Sequence, residues 1–207
     1  MSALTWDGDG NRLYETGVDR VVLYPMLANG TYSNGVAWNG VTGVTESPEG
    51  ADANDIYADN LKYLSLVSKE NWKCTLKAYT FPKEFNQCMG NAMGNTGTSF
   101  GFFGQQKRMK FALSWRSLWG NDTLGDAYGY KLHLAWGLSA APSEMDHATE
   151  NESPEATEFS WEISSIPATT SRKIYVGGGK ATANERSLKP VSHVTILSTV
   201  KSSVLTA

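Results

Sequence analysis

Few residues in this chain have the types and spacing of a phosphate or calcium site. Gly177-Gly-Gly-Lys180 offers the backbone and cation of a phosphate-binding loop, but that motif requires Gly at position 174 and Ser or Thr at 181, where the chain has Ile and Ala. Asp7-Gly-Asp9-Gly-Asn11 begins like a calcium loop, yet Arg12 stands where the loop needs Gly, and Val18 where it needs Glu. Both strings are typical of glycine turns, and neither predicts a ligand.

The three histidines, His133, His147 and His193, lack a His or Cys partner at the spacing of a zinc site. The string Gly97-Thr-Ser-Phe-Gly101 has the form Gly-x-Ser-x-Gly, but it lies in the Gly- and Asn-rich segment 89–106, which is expected to be an adaptable loop, and no His or Asp is marked as its partner. No pair of the many carboxylates stands out as a pair for glycoside hydrolysis. The sequence therefore predicts no catalytic residue, no cofactor and no metal ligand. His133 follows Leu132 in an alternating run and is predicted on the polar face of a strand.

The elements that would position any site are predicted to be β-strands, because apolar and polar residues alternate along most of the chain. Trp72, Cys74, Leu76 and Ala78 form the apolar face of one such run. Other runs begin at Val36 or cover residues 56–67, 109–119, 130–138, 159–163 and 191–200. One short helix is predicted over residues 82–88, with proline in its first turn. Seven or eight strands indicate an antiparallel β-sandwich or barrel.

The alternation also predicts which side chains face the core. Trp115 is expected inside together with Met109, Phe111 and Leu113. In the next run, the expected inward residues are Tyr130, Leu132, Leu134, Trp136 and Leu138. Residues 46–59 and 89–106, the second of which is rich in Gly and Asn, are expected to be long, adaptable loops. The whole chain, 1–207, is expected to form a single domain.

Composition excludes several classes of protein. A hydrophobic content of 41% with 11% aromatic residues is too high for a disordered chain. A net charge of -3 argues against a protein that coats DNA, since such proteins need a basic excess to neutralise phosphates. No apolar run reaches the roughly 20 residues of a membrane-spanning helix, and the first residues do not resemble a secretory signal. We therefore expect no membrane insertion, synthesis in a cytoplasm, and free thiols at Cys74 and Cys88.

The charges are unevenly distributed. Residues 46–59 contain five acidic side chains and residues 144–158 contain six, and neither segment has a Lys or Arg. The rest of the chain has 18 basic and 10 acidic residues and so carries +8. These segments either are solvated polar loops, or meet a basic surface of another subunit, or line the path of a polyanion.

Several separated strings resemble the major tail protein of long-tailed (siphovirus-type) bacteriophages. They include Gly35-Val-Ala-Trp-Asn-Gly40, Val44-Thr-Glu-Ser-Pro48, Ile56-Tyr-Ala-Asp-Asn60, Ala78-Tyr-Thr-Phe-Pro82 and Gly129-Tyr-Lys-Leu-His-Leu134, with further strings in residues 4–25 and 153–161. The resemblance covers about residues 4–166, and residues 169–207 lie beyond it.

The resemblance implies a structural protein of the virion, made in the bacterial host, that is not an enzyme. Its β-sandwich subunits would form hexameric rings, stacked into a hollow tube through which double-stranded DNA passes transiently and without sequence-specific contacts. Tape-measure, tail terminator and tail tip proteins would be its other partners. Acidic groups facing the channel would repel phosphate and keep the DNA moving.

We expect the two long loops and a set of cations to make the contacts between subunits. The acidic candidates are Glu46, Glu49, Asp52, Asp55 and Asp59; the cationic ones are Lys73, Lys77, Lys107, Arg108 and Lys110; and the aromatic ones are Phe100, Phe102 and Phe103. An alternative function is a carbohydrate- or receptor-binding β-sandwich, because Trp6, Trp38, Trp115, Trp119 and Trp136 could stack on sugars.

Overall fold

The computed structural model describes residues 6–96, 99–147, 149, 156–166 and 192–199. These residues form twelve β-strands and one helix. The strands are β1 (Leu13–Pro25), β2 (Val36–Ala37), β3 (Val41–Glu46), β4 (Ala53–Ala58), β5 (Leu61–Val67), β6 (Lys73–Ala78), β7 (Ala92–Thr96), β8 (Ser99–Phe103), β9 (Phe111–Asn121), β10 (Gly125–Ala140), β11 (Phe159–Ser165) and β12 (His193–Thr199). The helix α1 (Phe85–Met89) lies between β6 and β7.

Eight of the strands form one antiparallel sheet in the order β2-β1-β9-β10-β11-β6-β3, with β12 also paired to β10. Residues 129–135 of β10 pair with β12 and residues 138–140 pair with β11, so these two strands follow each other along one edge of β10. Because β3 also contacts β1, the sheet curls and brings its ends together. This arrangement confirms the predicted antiparallel all-β fold with one short helix.

The interior of the curled sheet is filled by large aromatic side chains. Trp38, Phe85 and Trp161 are buried, with ring centroids 4.5–5.5 Å apart. Cross-strand pairing places Trp161 opposite Leu76 and Ile163 opposite Cys74, so the inward faces predicted for β6 and β11 are confirmed. Fully burying side chains of this size stabilises the fold by roughly 1.5–3 kcal/mol each.

Helix α1 closes one side of this core. It buries Phe85 and Cys88 and ends at Gly90, whose φ of 91° is the left-handed conformation that stops a helix. The sequence predicted the helix over residues 82–88, which is three residues early at its start. Pro82 and Lys83 instead lie in a turn whose carbonyls accept hydrogen bonds from the amides of Phe85 and Asn86.

The predicted inward face of β10 is wrong over most of its length. His133 and Ala135 are buried, while Tyr130, Leu132, Leu134 and Trp136 are only partly covered on the opposite face. The reason is the register with β9, which sets His133 opposite Trp115 and Ala135 opposite Leu113. A register shift between Ala135 and Leu138 then reverses the alternation, so Leu138 is buried as predicted.

Gly137 lies inside this register shift and has a φ of +67°. Its amide donates a hydrogen bond of 2.9 Å to the Tyr32 hydroxyl. A Cβ at this position would lie 2.6 Å from the carbonyl oxygen of Ile166. The position therefore requires glycine both for its backbone conformation and for the close approach of a neighbouring strand end.

The two segments predicted as long loops contain hairpins. Residues 53–58 form β4 and pair with β5, and residues 92–96 and 99–103 form the paired strands β7 and β8. Consequently the strand count exceeds the predicted seven or eight. The first strand, β1, was also not predicted, because register shifts near Gly17 and Arg20, both with positive φ, interrupt its alternation. The final strand β12 confirms the run predicted over residues 191–200. The string 177–180, and residues 148 and 150–155 of the acidic segment 144–158, lie outside the described residues.

Replacing Gly137 tests the register shift that reverses the alternation of buried and exposed side chains along β10. We expect Gly137→Ala to lower the free energy of unfolding by about 1–3 kcal/mol, because alanine is strained at positive φ and its Cβ meets the Ile166 carbonyl. Urea denaturation measures the change. Gly43→Ala is the matched control, since an added Cβ there contacts nothing within 4 Å, and it should change stability by less than about 0.5 kcal/mol. Equal effects of the two substitutions would contradict this account of Gly137.

Candidate functional site

The hairpin β4–β5 is the largest apolar feature that the described fold leaves uncovered. It forms its own two-stranded sheet, and every residue of its strands except Asp55 is exposed. Tyr63 is 75% exposed and Leu61 71%. The exposed large apolar residues of the hairpin are Ile56, Tyr57, Leu61, Tyr63, Leu64, Leu66 and Val67. A contiguous apolar surface of this kind marks an interaction site in most proteins.

The hairpin is locally well specified, although no other described strand or helix packs on it. Asp59 and Asn60 both have positive φ, as the two central residues of a tight hairpin turn require. Asp55 accepts a hydrogen bond from Ser65 at 2.6 Å and lies 2.8 Å from the Lys62 ammonium. The Lys62 contact, followed by the Ser65 hydrogen bond, lowers the pKa of Asp55. The segment thus has a defined shape available for a partner.

The hairpin extends from the body of the sheet at one place. Glu49 and Asn71 exchange backbone hydrogen bonds of 2.9 and 2.7 Å, and this bridge continues the pairing of β3 with β6 out to β4 and β5. The hairpin is therefore a projecting arm of the β3–β6 pair.

A second hairpin, β7–β8, follows helix α1 and is also apolar at its surface. Phe103 is 61% exposed and Phe102 46%. Phe100 lies on β8, and its side chain is outside the described set. The predicted cations Lys107, Arg108 and Lys110 come directly after this hairpin and before β9. The two predicted contact segments are thus both hairpins with exposed aromatic residues.

Several predicted contact residues have a charged neighbour within the same subunit. Lys73 lies 2.5 Å from Glu49, and Lys77 lies 3.3 Å from Glu158. Both pairs are substantially exposed, and such pairs contribute at most about 1 kcal/mol. Among the described residues, Asp52, Asp59, Lys107, Arg108 and Lys110 have no oppositely charged side chain within 4.0 Å. This second set keeps its charges available for an external partner.

Glu46 has a different role from the other predicted acidic residues. It lies at the end of β3, where one carboxylate oxygen accepts a hydrogen bond of 3.2 Å from Trp72 Nε1. The other oxygen is 3.7 Å from His133 Nδ1 and 3.6 Å from His193 Nε2. The carboxylate therefore reaches from the β3 side of the sheet to side chains of β10 and β12.

A chain of polar contacts continues from this cluster along the inner face of β9 and β10. His133 Nε2 is 3.0 Å from the Ser117 hydroxyl, which donates to Glu15 at 2.5 Å, and Lys131 also contacts Glu15. Burial by itself would raise the pKa of Glu15. The hydrogen bonds from Lys131 and Ser117 outweigh this effect, and the pKa of Glu15 is lowered. The predicted polar-face position of His133 is wrong, since its side chain is 8% exposed and stacks on Trp115 at 5.1 Å.

Sequence reasoning missed this polar cluster because its members come from strands that are far apart in the chain. Glu46, His133 and His193 are brought together by the curl of the sheet and by the pairing of His193 with Ala135. Local spacing carries no signal for such a group.

Two concave surfaces among the described residues are small, at about 210 and 120 Å³. The larger is lined in part by Glu49, Lys73 and Cys74. Typical ligand pockets enclose about 300–1,000 Å³. Burial, together with the negative charge of Glu46, raises the pKa of Cys74 to about 12, so this thiol stays protonated and is a poor nucleophile. Cys74 and Cys88 are both buried free thiols.

A comparison with models of known protein families finds no match, and none of the curated proteins matches the chain at a significant level. Among the described residues, no helix is long and apolar enough to cross a membrane.

Hydrogen exchange should separate the projecting arm from the body of the free subunit. We expect amides of β4 and β5 to exchange at least about 100-fold faster than those of β9 and β10, because an isolated two-stranded sheet is only marginally stable. Mass-spectrometric exchange on dilute protein measures both regions in one sample, so β9 is the internal control. Equal protection of β5 and β9 in a monomer would show that the arm is packed on the subunit itself.

Proposed function

We propose that this protein is a structural subunit that self-assembles into the tail tube of a long-tailed bacteriophage. The observation that carries the proposal is the β4–β5 hairpin, which presents apolar side chains on both faces and has no covering element among the described residues. The resemblance of residues 4–166 to major tail proteins supports the same function. So do the antiparallel all-β fold and the small size of its pockets.

A second copy of this chain is the partner that its surface chemistry favours. Tyr57 and Tyr63 are of the type that dominates protein interfaces, and both lie on the arm. The chain also carries charges of both signs without partners in the described subunit, such as Asp59 on the arm and Lys107 after β8. A surface with unpaired charges of both signs is complementary to a differently oriented copy of itself.

The energetics favour a ring over an isolated pair. Fully burying a Leu- or Tyr-sized side chain contributes about 1.5–3 kcal/mol, so seven side chains that are already partly covered contribute on the order of 7 kcal/mol. Association costs an estimated 4–15 kcal/mol, which leaves one arm contact weak by itself. In a closed ring each subunit makes two such contacts, and stacking adds more. Assembly through this arm would therefore be cooperative and dependent on concentration.

The proposed role as a DNA conduit agrees with the charge of the chain. A net charge of -3 provides no basic excess to hold the phosphates of passing DNA. In the proposed tube, rings of six subunits stack around the channel, and the subunit needs neither catalysis nor a cofactor for this function. Tape-measure, terminator and tip proteins are its proposed partners in the tail.

The alternative function, carbohydrate binding, has less support from the positions of the tryptophans. Trp38 and Trp115 are buried in the core. Trp119 packs against Tyr128 and Lys131 and is only partly exposed. Trp6 is 79% exposed, but it stands alone, whereas sugar sites combine aromatic rings with convergent polar groups.

Polar substitution of the arm tests the proposal. We expect wild-type protein to form rings or tubes as its concentration rises, and Leu61→Ser/Tyr63→Ser to require at least about a 10-fold higher concentration. Each substitution removes on the order of 1 kcal/mol of burial per contact, and 1.4 kcal/mol corresponds to a factor of ten. Negative-stain microscopy and sedimentation velocity measure the assembly.

Leu61 and Tyr63 are exposed in the free subunit, so the thermal unfolding midpoint of the double variant should stay close to that of wild type. Leu124→Ser is the matched control, because Leu124 is also an exposed leucine but lies in the turn between β9 and β10. Wild-type protein that stays monomeric at every concentration, or a double variant that assembles normally, would contradict the proposal.

Charge reversal tests the electrostatic part of the interface. Lys107→Glu/Arg108→Glu should slow assembly several-fold at low salt, because the segment after β8 would lose its attraction for acidic groups of a neighbour. Raising the salt concentration should slow assembly of wild-type protein and narrow its difference from the variant, since salt screens exposed charges. Light scattering follows the rate. Lys107→Arg/Arg108→Lys keeps the charge and is the control; unaltered assembly of the Glu variant at low salt would exclude this contact.

A further inference from the structure

Three potential metal ligands from three strands converge at the base of the projecting arm. Glu46 Oε1 of β3, His133 Nδ1 of β10 and His193 Nε2 of β12 all lie within 4.8 Å of one another. The carboxylate oxygen is 3.7 Å from the first nitrogen and 3.6 Å from the second. These separations are too long for direct hydrogen bonds, so the three atoms do not satisfy one another.

The hydrogen-bond network assigns the proton of neutral His133 to Nε2. Ser117 has a single hydroxyl hydrogen and donates it to the Glu15 carboxylate, which cannot donate in return. At 3.0 Å from His133 Nε2, the Ser117 oxygen must therefore accept a hydrogen bond from that nitrogen. His133 Nδ1 is then left with its lone pair on the side of Glu46 and of Thr195, whose hydroxyl is 3.1 Å away.

The other two atoms border the same space. Trp72 Nε1 donates to Glu46 Oε2, which fixes the carboxylate and leaves Oε1 facing the histidines. His193 Nε2 is buried and has no hydrogen-bond partner among the described residues. A buried polar atom without a partner is costly, and one in a native fold indicates that a water or ion completes the site.

The charged groups that face the cluster are Glu46, Glu15 and Lys131. The Glu46 carboxylate lies beside two imidazole nitrogens, and a cation among the three groups would offset its negative charge.

We propose that Glu46, His133 and His193 form a binding site for a divalent transition-metal cation of the Zn²⁺ class. Zn²⁺ binds His nitrogen and carboxylate oxygen at about 2.0–2.2 Å, which in a tetrahedron sets ligand atoms roughly 3.3–3.5 Å apart. The two separations from the carboxylate, 3.6 and 3.7 Å, are close to this value, and the two nitrogens, which lie within 4.8 Å of each other, would move closer together on binding. Two imidazoles select Zn²⁺ and its neighbours over Mg²⁺ or Ca²⁺, which prefer oxygen ligands.

The surroundings of the three ligands are those of a metal site. Glu46 and His133 are each held by a hydrogen bond on the side away from the shared space, from Trp72 and to Ser117. Trp115 stacks on His133 and on His193 at 5.1 and 5.7 Å, which restricts both rings. The Glu46 side chain is about one third exposed and gives the cation access from solvent. A fourth ligand position is open to water, or to the hydroxyl of Thr195 after a small shift.

The cation would link parts of the sheet that are not hydrogen-bonded neighbours. β3 pairs with β6, whereas β10 and β12 pair with each other on the other side of the interior. One ion would thus tie the final strand β12 and the base of the arm to the centre of the sheet. This inference does not depend on the proposed function, because it concerns the isolated subunit.

Zinc titration of the full chain tests the site. Protein is dialysed against a chelator, and binding of Zn²⁺ is followed by isothermal titration calorimetry, with the bound metal counted by mass spectrometry. We expect one equivalent per chain and a higher thermal unfolding midpoint, because binding to the folded state alone stabilises it. Co²⁺ in place of Zn²⁺ should give the visible absorption of a four-coordinate site.

His193→Ala and Glu46→Gln should each weaken Zn²⁺ binding by more than the roughly 10–100-fold that a change in the outer shell produces. His147→Ala is the matched control, since His147 is exposed and outside the cluster, and it should bind one equivalent like wild type. Glu46→Gln keeps an acceptor for Trp72 and so tests the site if His193→Ala fails to fold. Wild-type protein that binds no Zn²⁺, or binding that survives both cluster variants, would overturn the proposal.

Discussion

The curled eight-stranded sheet has room for one set of large apolar side chains, and the aromatic group around Trp161 fills it. Trp38, Phe81 and Phe85 contact that ring at centroid distances of 5.3–5.6 Å, and the side chains of the β4–β5 hairpin are not part of this core. Protein interiors are packed to the density of organic crystals, so a filled core admits few further apolar side chains. The apolar surface of the arm lies outside this core, and no element among the described residues covers it.

The arm and the polar cluster are physically connected through β3 and β6. Glu46 is the last residue of β3. Three residues later, the Glu49–Asn71 bridge marks the point where the β4–β5 arm begins. Trp72, at the return of the arm into β6, donates to Glu46. The interior contacts of Glu46 thus fix the point from which the arm leaves the sheet, and any cation held there would stiffen that point. Rigid attachment of a binding element lowers the entropy lost on association.

The sequence predicted the parts of the fold in which alternation is unbroken. Leu76 and Trp161 lie in strands with small or polar residues on the opposite face, so their burial could be inferred directly. In β10, by contrast, Leu132 and Leu134 are apolar on the less covered face while His133 is inside, and the shift at Gly137 reverses the order. A register shift depends on the neighbouring strand, which the local pattern does not specify. Strand β5 lies in the run predicted as a strand, whereas most of β4 lies in the segment predicted as a loop.

The candidate site was predicted only in part for similar reasons. The charged residues of segment 46–59 and the cations after β8 could be read from the sequence, whereas the pairing of Lys73 with Glu49 inside one subunit follows from the β3–β6 register. Glu46 and the two histidines are brought together by the curl of the sheet. The sequence around each of the three residues carries no signal of this contact.

The most direct test of the central claim is a cryo-electron microscopy map of particles assembled from the purified protein. The account predicts rings of identical subunits in which Tyr63 and Leu61 of each β4–β5 arm are buried against a neighbouring copy. Particles in which the arm remains in solvent, with the contacts made by other surfaces, would contradict it.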